Sequence, residues 1–147
     1  MITLKEITEE NYAEVLQLSV SDADKTFVAP VVRSLADCWL YRKNEDLFPY
    51  AIYAEKQLVG FLLLDLDEQE GSLLLWRLLI DQQFQGKGYG RASIEKVIGL
   101  SRGFESVSYV TVDYVKDNVK MARLLNSLSF TIFGEDSREV FTKLNVR

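Results

Sequence analysis

The sequence predicts an α/β fold: a single domain over residues 1–147 with a mixed central sheet of about seven strands and about four flanking helices. Three observations lead there. The length of 147 residues fits one domain. An apolar fraction of 48% and a charged fraction of 27% are typical of globular proteins. The spacing of apolar residues also alternates along the chain between that of a strand and that of a helix. We find no internal repeat, low-complexity run or linker.

The first third of the chain is predicted as strand, helix, loop and helix, over residues 2–8, about 9–20, 21–33 and 34–43. In the first segment apolar and polar residues alternate, as in a half-buried strand. Thr8 is suited to cap the first helix. Ser34 followed by Asp37 resembles a capping box that opens the second helix.

From Tyr50 the pattern becomes rich in strands. Residues 50–55 and 58–66 are β-rich and flank a short turn, which predicts a hairpin. Residues 72–81 are almost continuously apolar, as in a strand that is buried on both faces.

The last third is predicted as helix, strand, helix and hairpin. Apolar residues recur at helical spacing over 89–102, and Gly103 can end that helix. A strand over 106–115 follows, and then a helix capped by Asp117. Two short β-rich segments around a polar turn form the terminal hairpin, over 130–133 and 140–144.

The composition excludes several kinds of chemistry. The chain has no histidine and one cysteine, Cys38. A zinc site of the common nitrogen and sulfur type and a Ser-His-Asp or Cys-His nucleophile are therefore excluded within one chain, and we expect no metal. A net charge of −5 argues against nucleic acid as a partner. No apolar run is long enough for a membrane span or a signal peptide, so we expect a cytoplasmic protein without a membrane partner.

A glycine-rich turn at Gly86, Gly88 and Gly90 lies between a predicted strand and a predicted helix. Glycine lets the backbone approach a ligand closely, and the first N–H groups of a helix favour an anion. This unit is therefore a candidate phosphate cradle, with Lys87 and Arg91 adding positive charge. Its spacing fits neither a Walker loop nor a Rossmann fingerprint.

Gln85-Gly86-Lys87-Gly88-Tyr89-Gly90 matches the Q/R-x-x-G-x-G/A signature of the GNAT superfamily of N-acetyltransferases, which the chain resembles over most of its length. Its segments further resemble the bacterial spermine/spermidine (diamine) acetyltransferase group. The resemblance implies a GNAT-like fold, acetyl-CoA as cosubstrate, and a strand that splays from its neighbour before the signature. It also implies the residues that contact acetyl-CoA: the backbone of Leu78, Leu79 and Ile80, and the turn Gln85, Gly86, Lys87, Gly88, Tyr89, Gly90 and Arg91.

Residues 118–130 resemble a second motif of this family. Asn118 stands at the first position of that motif, so the resemblance implies that it is a further contact of the cofactor. Leu125 stands where many members carry the tyrosine that protonates the departing thiolate. Because a thiol of pKa ~8.5 can leave unprotonated at a cost of only about 2 kcal/mol, the enzyme can function without this tyrosine.

Asp113 lies five residues before Asn118, where members that acetylate protein N-termini carry a catalytic glutamate. An alkylamine of pKa near 10.4 must lose a proton before it attacks, which costs roughly 4.6 kcal/mol at neutral pH. We therefore expect Asp113 to act as the general base through a water molecule.

The expected function is direct acetyl transfer to the primary amine of a small molecule, a polyamine or diamine. Candidate contacts for its ammonium groups are the acidic residues in segments 22–24 and 65–70. Two alternatives stay open: a protein N-terminal or lysine acetyltransferase, and a non-catalytic acyl-CoA sensor. Assembly as a homodimer is also left open.

Overall fold

The computed structural model describes residues 1–147. Its strands are β1 (Ile2–Lys5), β2 (Leu47–Ala54), β3 (Gln57–Asp67), β4 (Ser72–Ile80), β5 (Tyr109–Val115), β6 (Thr131–Glu135) and β7 (Glu139–Asn145). Its helices are α1 (Tyr12–Val15), α2 (Val31–Leu40), α3 (Tyr89–Ser101) and α4 (Val119–Ser127). The prediction of seven strands and four helices is confirmed. None of the helices has the length and apolar character needed to cross a membrane.

All seven strands form one mixed sheet in the order β1-β2-β3-β4-β5-β7-β6. Every neighbouring pair is antiparallel except β4 and β5, which are parallel. A parallel pair needs a long crossover, and α3 supplies it. The glycine-rich turn therefore lies at the carboxyl end of β4, where the crossover begins.

The two faces of the sheet carry separate apolar clusters. Val15 of α1 and Val31 of α2 pack with Leu63 on one face. Ile94 of α3 and Leu125 of α4 belong to the larger cluster on the other face. The sheet is thus covered on both sides, as expected for a sheet that contains a parallel pair.

Helix α1 is much shorter than the predicted helix over 9–20. Its start is near the predicted place, where the Thr8 carbonyl accepts the Tyr12 N–H at 2.9 Å. It ends early because tertiary contacts hold the following segment: the Asp81 carboxylate accepts the Ser19 N–H at 2.9 Å, and the Ser19 carbonyl accepts the Gln82 N–H at 2.8 Å. These bonds replace the helical ones.

The capping box predicted at Ser34 is wrong. Helix α2 begins at Val31 after Pro30, whose fixed φ of −64° suits a position beside a helix start. Ser34 and Asp37 lie inside the helix and are buried, because both side chains bind Arg77 of β4.

Two further predictions need correction. The cap of α4 is Asn118 rather than Asp117, since the Asn118 Oδ1 accepts the Met121 N–H at 3.2 Å. Strand β4 is also not buried on both faces. Leu74, Trp76 and Leu78 are only half-buried, because they line a cleft.

Candidate active site

The sheet opens between β4 and β5. Their parallel pairing runs from Ser72 with Tyr109 to Leu75 with Val112 and then stops. At the same point the β3–β4 register shifts, which leaves Trp76 as the extra residue of a β-bulge. A bulge bends its strand and increases its twist, so β4 diverges from β5 there. Beyond Leu75 the edge of β4 that faces β5 has no strand paired to it.

A cleft of about 900 Å³ occupies this opening. The side chains of Leu78 and Ile80 line it, whereas Leu79 points to the opposite face and packs in the α1–α2 cluster. The structure thus places the predicted segment 78–80 along the free edge of the strand. Backbone groups on such an edge can pair with the amides of an extended ligand.

The glycine-rich turn stands at one end of the cleft. Gly86 and Gly88 have φ values of +77° and +83°, in the left-handed region that favours glycine. Gly88 is the N-cap of α3, and no side chain caps the helix. The N–H groups of the first turn therefore have no partner in the protein and are available to an anion.

The remaining residues of the predicted turn differ in position. Gln85 and Gly90 line the cleft. The Gln85 Nε2 donates to the Ile80 carbonyl at 2.7 Å, which fastens the turn to the end of β4. The Arg91 Nη1 donates to Ser127 Oγ at 2.7 Å and so links α3 to α4. Gly86, Lys87, Gly88, Tyr89 and Arg91 lie outside the lining of the cleft.

Asn118 and Asp113 both line the cleft from the β5 side. Asn118 is fixed by its capping bond to α4. Asp113 is the first residue of β5 beyond the last pair with β4, and it lies opposite Phe141 of β7. Burial, together with the carboxylates of Glu139 and Asp136, raises the pKa of Asp113 to about 6. This carboxylate is mostly ionised at neutral pH and can then accept a proton.

Leu125 is fully buried and does not line the cleft, so position 125 offers neither a hydroxyl nor access to a ligand. A tyrosine that the sequence reasoning did not single out, Tyr114, belongs to the same apolar cluster and does line the cleft. Tyr114 is 9% exposed, and its hydroxyl makes no hydrogen bond within the chain. Since no buried polar atom lacks a partner, the hydroxyl oxygen is accessible.

The opposite wall of the cleft comes from the loop before α2 and from α2 itself, including Asp24, Pro30 and Arg33. Asp22 lies outside the lining and pairs with Lys25 at 2.7 Å. The acidic segment 65–70 forms the end of β3 and the turn to β4, and none of its residues lines the cleft. Its predicted role around the acceptor is not supported by this placement.

Arg77 is the second residue that the sequence reasoning missed. Its Nη1 donates to the Asp37 Oδ2 at 2.6 Å and to the Ser34 Oγ at 3.2 Å. The guanidinium also stacks on Trp76, with 4.2 Å between its central carbon and the ring centroid. In the sequence, the only indication that Arg77 is buried and paired was its position as the one arginine within a run of apolar residues.

Cys38 is half-buried and lies outside the cleft. Burial, and then the neighbouring Asp37 carboxylate, raise the pKa of its thiol, which disfavours the reactive thiolate. No group of three or more His, Cys, Asp or Glu side chains is arranged to hold a metal ion.

Comparison with known proteins places the chain in a family. The family model described as the acetyltransferase (GNAT) family matches residues 3–130, so this chain belongs to the GNAT family of acetyltransferases. The spermine/spermidine N(1)-acetyltransferase of Bacillus subtilis (strain 168) is 27% identical over 143 residues, which cover 91% of this chain and 90% of that protein.

Solved structures share the fold at lower identity. The spermidine N-acetyltransferase of Vibrio cholerae, in complex with CoA and spermine, has a TM-score of 0.78 at 14% identity and covers 98% of this chain and 95% of its own. A Salmonella typhimurium acetyltransferase that modifies the N-terminal serine of ribosomal protein L7/L12 has a TM-score of 0.81 at 13% identity, covering 99% and 95%.

Proposed function

We propose that this acetyltransferase moves the acetyl group of acetyl-CoA to the primary amine of a small molecule, by direct attack in a ternary complex within one domain over residues 1–147. One observation carries the proposal: the free edge of β4 and the uncapped first turn of α3 border the same opening. The first suits the amides of a pantetheine arm and the second suits a pyrophosphate.

Acetyl-CoA would lie along this opening. The backbone of Leu78, Leu79 and Ile80 would bind the pantetheine amides, and the N–H groups from Gly86 to Arg91 would bind the pyrophosphate. Gln85 would act by holding the turn against Ile80, and Asn118 by fixing the start of α4 at the cleft. Lys87 would add positive charge at the exposed turn, and Tyr89 begins the helix whose first N–H groups face the phosphates.

Asp113 is proposed as the general base. It lines the cleft just beyond the last β4–β5 pair, and its raised pKa of about 6 still leaves it ionised at neutral pH. Through a water molecule it would take the proton that the ammonium group of the acceptor must lose. Holding amine and thioester together would contribute most of the acceleration, since such positioning supplies up to about 7–11 kcal/mol.

Direct attack is favoured over a covalent acetyl-enzyme because the chain offers no activated nucleophile in the cleft. Cys38 is outside it, and no histidine is present to activate a hydroxyl or thiol. The departing thiolate would be protonated by water, or by the accessible hydroxyl of Tyr114.

Polyamines or diamines are the acceptors proposed first, because the Bacillus subtilis relative and the Vibrio cholerae neighbour are named for spermine and spermidine. Four carboxylates line the cleft and would face their ammonium groups: Asp24, Asp113, Asp117 and Glu139. The Salmonella typhimurium neighbour supports peptide N-termini as the competing acceptor class.

The test is thiol release from acetyl-CoA in the presence of an amine panel that contains polyamines, diamines and short peptides. We expect turnover with the small amines and little with the peptides. Turnover restricted to peptides would favour the protein acetyltransferase. Tight acetyl-CoA binding without turnover of any amine would favour a sensor and overturn the proposed function.

A further inference from the structure

We propose that the acceptor half of the cleft also binds a carboxylate, and that Arg77 is the residue that holds it. The acceptors would then include amines that carry a carboxylate, such as amino acids, beyond the polyamines. This inference rests on the proposed function and concerns the same cleft.

Arg77 is fixed by one end of its guanidinium only. The two bonds from Nη1, to Asp37 and Ser34, use both of the N–H donors on that nitrogen. Asp37 and Ser34 are themselves buried, and Trp76 supports the flat face of the group. The arginine is thereby held in one position, with its side chain 13% exposed.

The other nitrogens of Arg77, Nε and Nη2, have no partner in the protein. No buried side-chain nitrogen or oxygen lacks a partner, so these two atoms are accessible. Arg77 lines the cleft, and we place these two nitrogens towards it. Three N–H donors in a plane are thus available, and a carboxylate fits this fork with two parallel hydrogen bonds.

The local charge also favours an anion. Asp37 is shared, since its Oδ1 lies 3.4 Å from the Nε of Arg33 and its Oδ2 binds Arg77. Two arginines share one carboxylate here, and Asp24 and Lys25, which also line this wall, offset each other, so a net charge of +1 remains beside Arg77. A carboxylate is therefore attracted to Arg77.

The opposite side of the cleft carries a net negative charge. Asp113 lines it from β5 and Glu139 from β7, and Arg138 lies beside Glu139. When both carboxylates are ionised, these three residues carry a net negative charge. Arg77 and Asp113 both lie just beyond the last β4–β5 pair. An acceptor with an ammonium group towards Asp113 and a carboxylate towards Arg77 satisfies both sides.

Matched amines test the inference. Lysine and cadaverine differ by one carboxylate, as do ornithine and putrescine. Lysinamide is the control in which an uncharged amide replaces the carboxylate of lysine. We expect kcat/KM for lysine to exceed that for cadaverine and lysinamide by about tenfold or more, the range that a charge-assisted pair supplies. Equal values for the members of each pair would overturn the inference while leaving the proposed function intact.

Variants tie the preference to Arg77. Because Arg77→Gln alone leaves a buried carboxylate without its partner, the double variant Asp37→Asn/Arg77→Gln is the main test, with folding checked by thermal unfolding. We expect the lysine-to-cadaverine ratio to fall to about one. Arg77→Lys, which keeps the charge and loses the fork, should lower it partly. Arg42→Gln, an exposed arginine outside the cleft, should leave it unchanged.

Calorimetry with CoA present separates the two proposals. We expect lysine to bind more tightly than cadaverine to the wild-type protein, and the double variant to remove the difference. A preference that survives in the double variant would overturn the role of Arg77. Absence of turnover with every amine, with the affinity difference retained, would instead overturn the proposed function.

Discussion

Asp113 and Glu139 lie as diagonal neighbours on one face of the sheet, because Val115, two residues after Asp113, pairs directly with Glu139. Both carboxylates line the cleft. Burial of Asp113 and the charge of Glu139 raise its pKa to about 6, which places the ionisation of Asp113 close to neutral pH. A base with such a pKa is deprotonated at physiological pH and still binds a proton appreciably.

The first prediction concerns activity and pH. Asp113→Asn keeps the shape of the side chain and removes the proton acceptor, so turnover should fall about 10²-fold near neutral pH. The loss should shrink as the pH rises towards the pKa of the amine, where free amine needs no base. The pH profile of kcat/KM measures both effects. A loss by the same factor at every pH would mean that Asp113 orients the acceptor instead.

Glu139→Gln provides the matched control for that profile. This substitution removes a negative charge beside Asp113 and leaves Asp113 itself in place. The pKa of Asp113 should therefore fall, and the acidic limb of the pH profile should move to lower pH. If the acidic limb stays at the same pH in this variant, it reports the ionisation of a group other than Asp113.

The second prediction concerns stability. A carboxyl whose pKa is raised in the folded state favours folding while protonated, below its unfolded pKa of about 4, and loses this contribution as the pH rises through about 6. Asp113→Asn should therefore be more stable than the wild type at about pH 8 and similar to it at about pH 4. Urea midpoints at the two pH values measure the difference. A gain of equal size at both would contradict the assigned pKa.

Much of this architecture follows from local pattern. The strands, helix α3 and the glycine-rich turn were predictable because alternation, helical spacing and glycine act over neighbouring residues. The early end of α1 was not, since it depends on Asp81, which is 62 residues from Ser19. Ser34 and Asp37 were misread as a cap for the same reason: their partner Arg77 is distant in the chain. Burial, and hence the pKa of Asp113, also requires the folded structure.

The third prediction concerns position 125. Leu125 is fully buried, so Leu125→Tyr overpacks the core and should lower the free energy of unfolding by about 1–3 kcal/mol. Any gain in turnover should be no more than about thirtyfold, because an unprotonated thiolate costs only about 2 kcal/mol. Leu125→Phe, which has the ring without the hydroxyl, is the control. A gain of several thousandfold in the tyrosine variant alone would show that thiolate protonation limits the native enzyme.

The central claim, that acetyl-CoA lies where β4 leaves β5 at the start of α3, is tested most directly by two glycines of one helix. A Cβ at Gly90 would meet no protein atom closer than 3.9 Å, from Leu124, and one at Gly99 would meet none within 4 Å. Both substitutions by glutamate should therefore be tolerated by α3, because glutamate is a better helix former than glycine. They differ in place, since Gly90 lines the cleft and Gly99 does not.

The measurement is calorimetric titration of acetyl-CoA into Gly90→Glu and Gly99→Glu, with thermal unfolding of each variant. A carboxylate at position 90 would stand at the first turn of α3 and repel the phosphates, so we expect the affinity of Gly90→Glu to fall about tenfold or more while Gly99→Glu binds like the wild type. Equal affinities for the two variants and the wild type would contradict the proposed position of acetyl-CoA.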